Sequence, residues 1–202
     1  MGAAKSIETS PYSKMANAEA AFQNIHQDLV DGCRTGDQKS QFKIYKLYYK
    51  AMYNTSLRIV NDTMEAEDIM QESFLSAFEK IDSYSGTVSF GAWLKRIVIN
   101  RSLDTLSRRK AIFEDIERHM GIRDESTEEI VMKEELEVKV EEVKDAIKKL
   151  PDGYRIILSL YLLEGYDHDE IAEILDISSS TSRSQLSRAK QKLIGEMKKL
   201  ER

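Results

Sequence analysis

The sequence predicts an all-α protein of two small helical domains joined by an acidic linker, the C-terminal domain being a helix-turn-helix. Three observations carry this. Apolar residues recur at spacings of three and four along most of the 202 residues, and no convincing strand pattern is present. Punctuation is sparse, at two Pro and nine Gly, which leaves room for long helices. The balance of 41% hydrophobic and 32% charged residues fits a folded chain and not a mainly disordered one.

Residues 1–26 are small and polar, contain Pro11 and read as a flexible extension. Met1-Gly2 with Ser6 fits a myristoylation pattern short enough to be common by chance. From 27 to 60 the spacing of Phe42, Tyr45, Tyr49, Met52, Tyr53 and Val60 predicts helix, its aromatic stripe in the core and a break at Gly36-Asp37. Asp62 and Glu65 have capping-box spacing, so a helix starts there. Its apolar face is Met70, Phe74, Ala77, Phe78 and Ile81; the other carries Glu65, Glu67, Asp68, Gln71 and Glu72.

Ser83 to Ser89 reads as a loop. The next helix runs from Phe90 to Lys110, with Trp93, Leu94, Ile97 and Val98 packing inward. Its last turn, Arg108-Arg109-Lys110, suits the negative end of a helix dipole. Residues 111–127 form the acidic linker between a first domain, 27–110, and a second, 128–202. Ser126 and Glu129 restart a helix with capping-box spacing; Leu136, Val140, Val143, Ile147 and Leu150 continue it, and Pro151 ends it. The last residues read as helices over 152–164, 168–175 and 179–200. A capping pair at Asp167 and Glu170 and a tight Asp176-Ile177-Ser178 turn separate them; Ile171, Ala172, Ile174 and Leu175 form the buried face of the middle one.

Several function classes are excluded on composition. The single cysteine, Cys33, allows no intramolecular disulfide framework and no Cys-rich zinc site, and it fits a reducing, cytoplasmic setting. No run approaches the roughly 18 apolar residues of a membrane span, and no signal-peptide core follows Lys5. No Gly-rich phosphate loop or nucleophile motif is present. His26, His119 and His168 are scattered, and His168 among Asp167, Asp169 and Glu170 is a weak metal set. No catalytic residue, metal or cofactor is therefore expected.

The net charge is −5, which argues against a nucleic-acid partner until its distribution is followed. Lys95 to Lys110 carries +5, Glu114 to Asp145 carries −8, and Ser178 to Arg202 carries +5. Binding depends on the local field, so each basic stretch remains a nucleic-acid candidate. The C-terminal helix-turn-helix is the first constellation. A recognition helix enters the major groove by its N-terminal end, and here that end presents Ser179, Thr181, Ser182, Arg183, Ser184 and Gln185; Arg183, Ser184, Ser187 and Arg188 offer the donors that bases and phosphate require, with Lys190 and Lys192 within reach of phosphate. The second is Tyr84, Phe90 and Trp93 beside Lys95, Arg96 and Arg101; aromatics that stack bases beside cations that track phosphate are what a single-strand binder uses. Trp93 reads more readily as core. The third is the acidic helix face, where Asp68 and Glu72 share one side and suit a basic partner. No histidine or third carboxylate converges on them to make a metal enzyme.

In order, Glu67-Asp68-Ile69-Met70-Gln71-Glu72-Ser73-Phe74, then Phe90-Gly91-Ala92-Trp93-Leu94-Lys95-Arg96-Ile97 with Asn100, Asp104 and Arg108-Arg109-Lys110, then Leu150-Pro151 with Arg155, Glu170-Ile171-Ala172-Glu173-Ile174-Leu175, Thr181 and Ser187-Arg188-Ala189-Lys190 resemble the extracytoplasmic-function group of the sigma-70 family, bacterial RNA polymerase sigma factors. The resemblance spans about residues 27–198. It implies that Glu65, Asp68, Gln71 and Glu72 dock on the polymerase clamp helices. It implies that Asn100 and the helix ending at Arg108, Arg109 and Lys110 hold the −10 promoter element, with an unstacked base near Tyr84 and Phe90. It places Arg155 with the residues of the last helix on the −35 element, the acidic linker in the polymerase channel and the second domain against the flap. An anti-sigma factor is a further partner such proteins take. The family often enters its recognition helix with Gly-Thr-Val; this chain has Ser180-Thr181-Ser182. The alternative reading is a stand-alone helix-turn-helix regulator whose N-terminal domain senses a ligand.

Overall fold

The computed structural model describes residues 26–117 and 140–200, excepting the side chains of 110–117, 140, 141, 199 and 200. The expected N-terminal extension before His26, the linker residues after Glu117 and the helix restart at Ser126 and Glu129 lie outside the described residues. Eight α-helices and no strand are present among the described residues. They are α1 (Gln27–Arg34), α2 (Gln38–Val60), α3 (Thr63–Glu79), α4 (Phe90–Glu117), α5 (Val140–Lys148), α6 (Asp152–Leu158), α7 (His168–Leu175) and α8 (Ser179–Leu200). A short 3₁₀ turn, Ile81–Ser83, follows α3, and a π-helical turn, Ser159–Leu163, extends α6.

The expected breaks fall where side chains can satisfy helix ends. Asp37 caps α2 by accepting from the Lys39 and Ser40 N–H groups, and Asp62 caps α3 by accepting from Met64 and Glu65. The Ser40 hydroxyl and N–H hold the exposed Asp37 carboxyl below its ordinary range. α4 continues to Glu117, past its expected end at Lys110.

α1 to α4 form one bundle. α2 packs on α1, α3 and α4, burying Ile44, Met52, Ile59 and Val60 together with the small hydroxyls of Thr55 and Ser56. The aromatic stripe expected in this core is corrected in part. Phe42 is 58% exposed, and Tyr45, Tyr49 and Tyr53 are half-buried at the α2–α3 groove. Ile44, two residues on and so about 200° round the helix from Phe42, takes the inward position. Cys33 packs against this core, and burial, with the Asp37 carboxylate nearby, pushes its thiol up to about 11.

α5 to α8 form the second bundle, with α8 resting on α5, α6 and α7. The two bundles meet where α6 crosses the C-terminal part of α2. No helix among the described residues is long and apolar enough to cross a membrane.

Candidate nucleic-acid interface

α7 and α8 form the helix-turn-helix. α7 begins on a reciprocal capping box: Asp167 accepts from the Asp169 and Glu170 N–H groups, and the Glu170 carboxylate accepts from the Asp167 N–H. Asp176 ends it at φ 53°, a left-handed position that a short polar side chain tolerates. The Ser178 hydroxyl then accepts from the Thr181 N–H at 3.1 Å and opens α8. α8 buries Ser182, Leu186, Ala189 and Leu193, at spacings of four, three and four. Its opposite side leaves Thr181, Arg183, Ser184, Ser187, Arg188 and Lys190 exposed. Among the described residues Arg183, Arg188 and Lys192 make no ion pair, so their field reaches solvent uncompensated. Lys190 lies over the Tyr161 ring at 5.5 Å.

α4 differs. Lys95 pairs with Glu164 at 2.9 Å, Arg96 with Glu173 at 2.7 Å, Arg101 with Glu72 at 2.5 Å and Arg109 with Glu65 at 3.3 Å. Asn100 and Arg108 are exposed and carry no such partner among the described residues. The side chain of Lys110 lies outside the described part of the structure.

Tyr84 and Phe90, expected to face a base, are instead core residues at 3% exposure each. Their rings meet edge-on at 5.6 Å, and Trp93 lies 5.4 and 5.5 Å from them. The Tyr84 hydroxyl donates to the Val88 carbonyl at 2.7 Å; burial pushes its phenol above the ordinary value, against the opposing pull of Arg34. Each buried aromatic gains roughly 2 kcal/mol over leaving it in water, and together they hold the loop 84–89 onto α2. Gly91 lets α4 come close enough to join them, since a Cβ there would lie 2.8 Å from the Tyr48 ring.

Arg155 is the second correction. Expected at DNA, it is 3% exposed. Its guanidinium donates to the Arg58 carbonyl at 3.2 Å, the Ile59 carbonyl at 2.8 Å and the Leu150 carbonyl at 3.3 Å, and it pairs with Asp152 at 2.7 Å. Arg58 and Ile59 sit in the last turn of α2, whose carbonyls have no partner within the helix. A planar, five-donor cation meets that need better than any other side chain.

Glu164, which the sequence did not single out, completes the seam between the bundles. Its side chain is 4% exposed and takes Arg58 at 2.5 Å, Lys95 at 2.9 Å and the Thr55 hydroxyl at 3.1 Å. The π turn presents it: its N–H reaches back five residues to the Ser159 carbonyl. Sequence carries no local signal for this contact, because Arg58 and Thr55 lie 106 and 109 residues away. A second omission was legible. α2 holds Lys39, Lys43, Lys46, Lys50 and Arg58 and no acid, with Lys46 over Phe42 and Lys50 over Tyr49.

On α3, Asp68, Gln71 and Glu72 are exposed on one face and Glu65 is half-buried beside them. Gln71 donates to Glu67 at 3.3 Å, and the pairs of Glu65 and Glu72 with Arg109 and Arg101 join this face to α4. Two of the expected docking residues, Glu65 and Glu72, thus lie against two of the expected −10 residues, Arg109 and Arg101.

Two family models match the chain: Sigma-70 region 2 over residues 44–112 and Sigma-70, region 4 over residues 140–193. The ECF RNA polymerase sigma-E factor of Haemophilus influenzae is 31% identical over 182 residues, covering 85% of this chain and 94% of that protein. The chain belongs to the ECF sigma factors of the sigma-70 family. The sigma factor is also 29% identical over 180 residues to the RNA polymerase sigma-H factor of Pseudomonas aeruginosa, covering 84% of the one and 92% of the other. Over 175 residues it is 29% identical to SigW of Bacillus subtilis, covering 83% and 94%. Its fold is similar to RpoE of Bartonella quintana solved with the anti-sigma factor NepR, at TM-score 0.54 and 22% identity over 77% of this chain and 95% of that one. It is likewise similar to CnrH solved with the cytosolic domain of CnrY, at TM-score 0.53 and 21% identity over 86% and 96%. As a sigma factor it directs transcription initiation, and the helix-turn-helix α7–α8 falls within its region 4.

Proposed function

We propose that this sigma factor docks on core RNA polymerase through α3, holds the −10 element with α4 and reads the −35 element with α8. The exposed row Thr181, Arg183, Ser184, Ser187 and Arg188 on α8 carries the reading, because those side chains suit base edges and phosphate and no carboxylate among the described residues pairs with Arg183 or Arg188. Asp68, Gln71 and Glu72 supply the polymerase contact. Asn100, Arg101, Arg108 and Arg109 supply the −10 contact. Lys95 and Arg96 are tied to Glu164 and Glu173, so their engagement of DNA requires those carboxylates to let go. The factor contributes no catalysis; the polymerase does the chemistry, in the cytoplasm. Its acidic linker runs in the polymerase channel, and an anti-sigma factor binds it, as NepR is in complex with the Bartonella factor.

Run-off transcription with core polymerase and a promoter library tests this. The reading expects transcripts that depend on the added chain and share a −35 and a −10 preference. An absence of transcripts, together with tight duplex binding by the chain alone, would establish the stand-alone regulator instead.

A further inference from the structure

The buried row of α8 has one polar member. Leu186, Ala189 and Leu193 are apolar, but Ser182, at the end that carries the exposed Thr181 and Arg183, is 0% exposed. A buried hydroxyl without a partner is destabilising, because it gives up water and gains nothing in return. Ser182 has one, the His168 Nδ1 at 3.0 Å, on the first residue of α7. The His168 ring in turn stacks on Tyr161, at 5.1 Å between centroids and 26° between planes. Tyr161 belongs to the π turn, and Lys190 of α8 lies over the same ring at 5.5 Å. α8 is therefore held at two points to a single His–Tyr pair: by a directional hydrogen bond at residue 182, and by a cation over an aromatic face eight residues further on, about 12 Å along the helix.

Apolar contacts tolerate sliding; a hydrogen bond at 3.0 Å does not. The placement of the first turn of α8 relative to α7 is thus set by two polar contacts: the exposed Ser179 hydroxyl donates to the Asp169 carboxylate, and the Ser182–His168 bond is the buried one. Residues 181 and 183 flank Ser182, so any tilt at 182 moves both. Sites that discriminate between ligands need their side chains held to about 0.5 Å.

We propose that Ser182 and His168 are positioning residues for base selection: their hydrogen bond, braced by Tyr161 and Lys190, sets the angle at which Thr181 and Arg183 meet the −35 element. This rests on the assignment of α8 to that element. Neither residue touches DNA. Ser182 is sealed inside, and the His168 ring lies between Tyr161 and Ser182.

The test uses the full-length factor with core polymerase and a −35 promoter library. Ser182→Ala and His168→Phe each remove the hydrogen bond; the first keeps the size and the second keeps the ring on Tyr161. Each is expected to change the ratio of preferred to alternative −35 bases by about 3- to 10-fold, the range of one partly misplaced base contact. The double variant is expected to be no worse than either single variant, because both remove the same bond. Ser182→Ala should leave the unfolding temperature close to the parent's, and His168→Phe, which strands the buried Ser182 hydroxyl, should lower it; a merely structural role would leave the base ratio alone in both. Unchanged base ratios, or additive effects in the double variant, overturn the proposal. Arg183→Ala in the same library separates the two levels. If it alters −35 selection while Ser182→Ala and His168→Phe do not, the positioning role alone fails. If it too leaves selection unaltered, the assignment of α8 fails and the positioning role with it.

Discussion

From Lys95 to Lys110, and again from Ser178 to Arg202, the chain carries a net charge of +5. In the first stretch Lys95, Arg96, Arg101 and Arg109 each meet a carboxylate of the same chain. In the second, Arg183, Arg188 and Lys192 meet none among the described residues. Equal charge therefore gives unequal surfaces. α8 offers DNA cations that are already free, so its contacts should show the steep salt dependence of released counterions. α4 offers cations already partnered, so each new phosphate contact there replaces an existing pair and gains less. The difference comes from tertiary pairing: Glu164 and Glu173, which hold Lys95 and Arg96, belong to the other bundle.

The largest expected effect is at the seam. Arg155→Ala leaves three carbonyls and Asp152 without their guanidinium, and should destabilise the chain by about 3 kcal/mol in urea unfolding. If promoter binding fell while stability held, Arg155 would be a DNA contact after all and the seam account would be wrong. Next comes the free face. Arg183→Ala with Arg188→Ala should weaken −35-dependent complexes roughly 10- to 100-fold, at about 1 kcal/mol or more per contact, with core binding and unfolding temperature unchanged. Asp68→Ala with Glu72→Ala should weaken core polymerase binding by about 10-fold, the scale of one interface anchor, as read by titration of labelled factor; undiminished affinity would remove α3 from the docking surface. The smallest effect tests the paired face. Glu164→Gln removes the charge that neutralises the half-buried Arg58 and Lys95, and should raise promoter-complex formation by about threefold while lowering the unfolding temperature, because the carboxylate it replaces is buried at the seam. No change there would mean that Lys95 takes no part in DNA binding, and the contrast between the two faces would narrow to Arg96, Arg101 and Arg109.

Much of this was legible in local pattern. The breaks at Asp37 and Asp62, the capping box at Asp167 and Glu170, and the Asp176 turn are short-range devices, and each stands where spacing placed it. The recognition face was legible in part: Thr181, Arg183, Ser184, Ser187 and Arg188 stand outward as read, whereas Ser182, read as presented with them, is buried. What spacing did not carry was the orientation of aromatics and the partner of each cation. Tyr84 and Phe90 have the composition of a base-stacking platform, but Trp93, Tyr48 and Gly91 gather around them to form core. Arg155 has the charge of a phosphate ligand but meets the end of α2. Phe42 sits on helical spacing with Tyr45 and Tyr49 and still faces outward, because the heptad-like pattern marks a stripe without saying which edge of it the neighbouring helices cover. Ser182 was visible only as a departure from an expected apolar residue; its reason lay in His168, fourteen residues earlier.

The central claim is that the free cations of α8 act at a promoter only in company with the polymerase that α3 recruits. Binding of the full-length factor to a labelled promoter duplex, measured with and without core polymerase across a salt series, tests it directly. The predicted result is weak binding by the factor alone and tight, strongly salt-dependent binding with polymerase, lost when Arg183 and Arg188 are both replaced by alanine. Tight, sequence-specific binding by the factor alone, unaffected by polymerase, would contradict it.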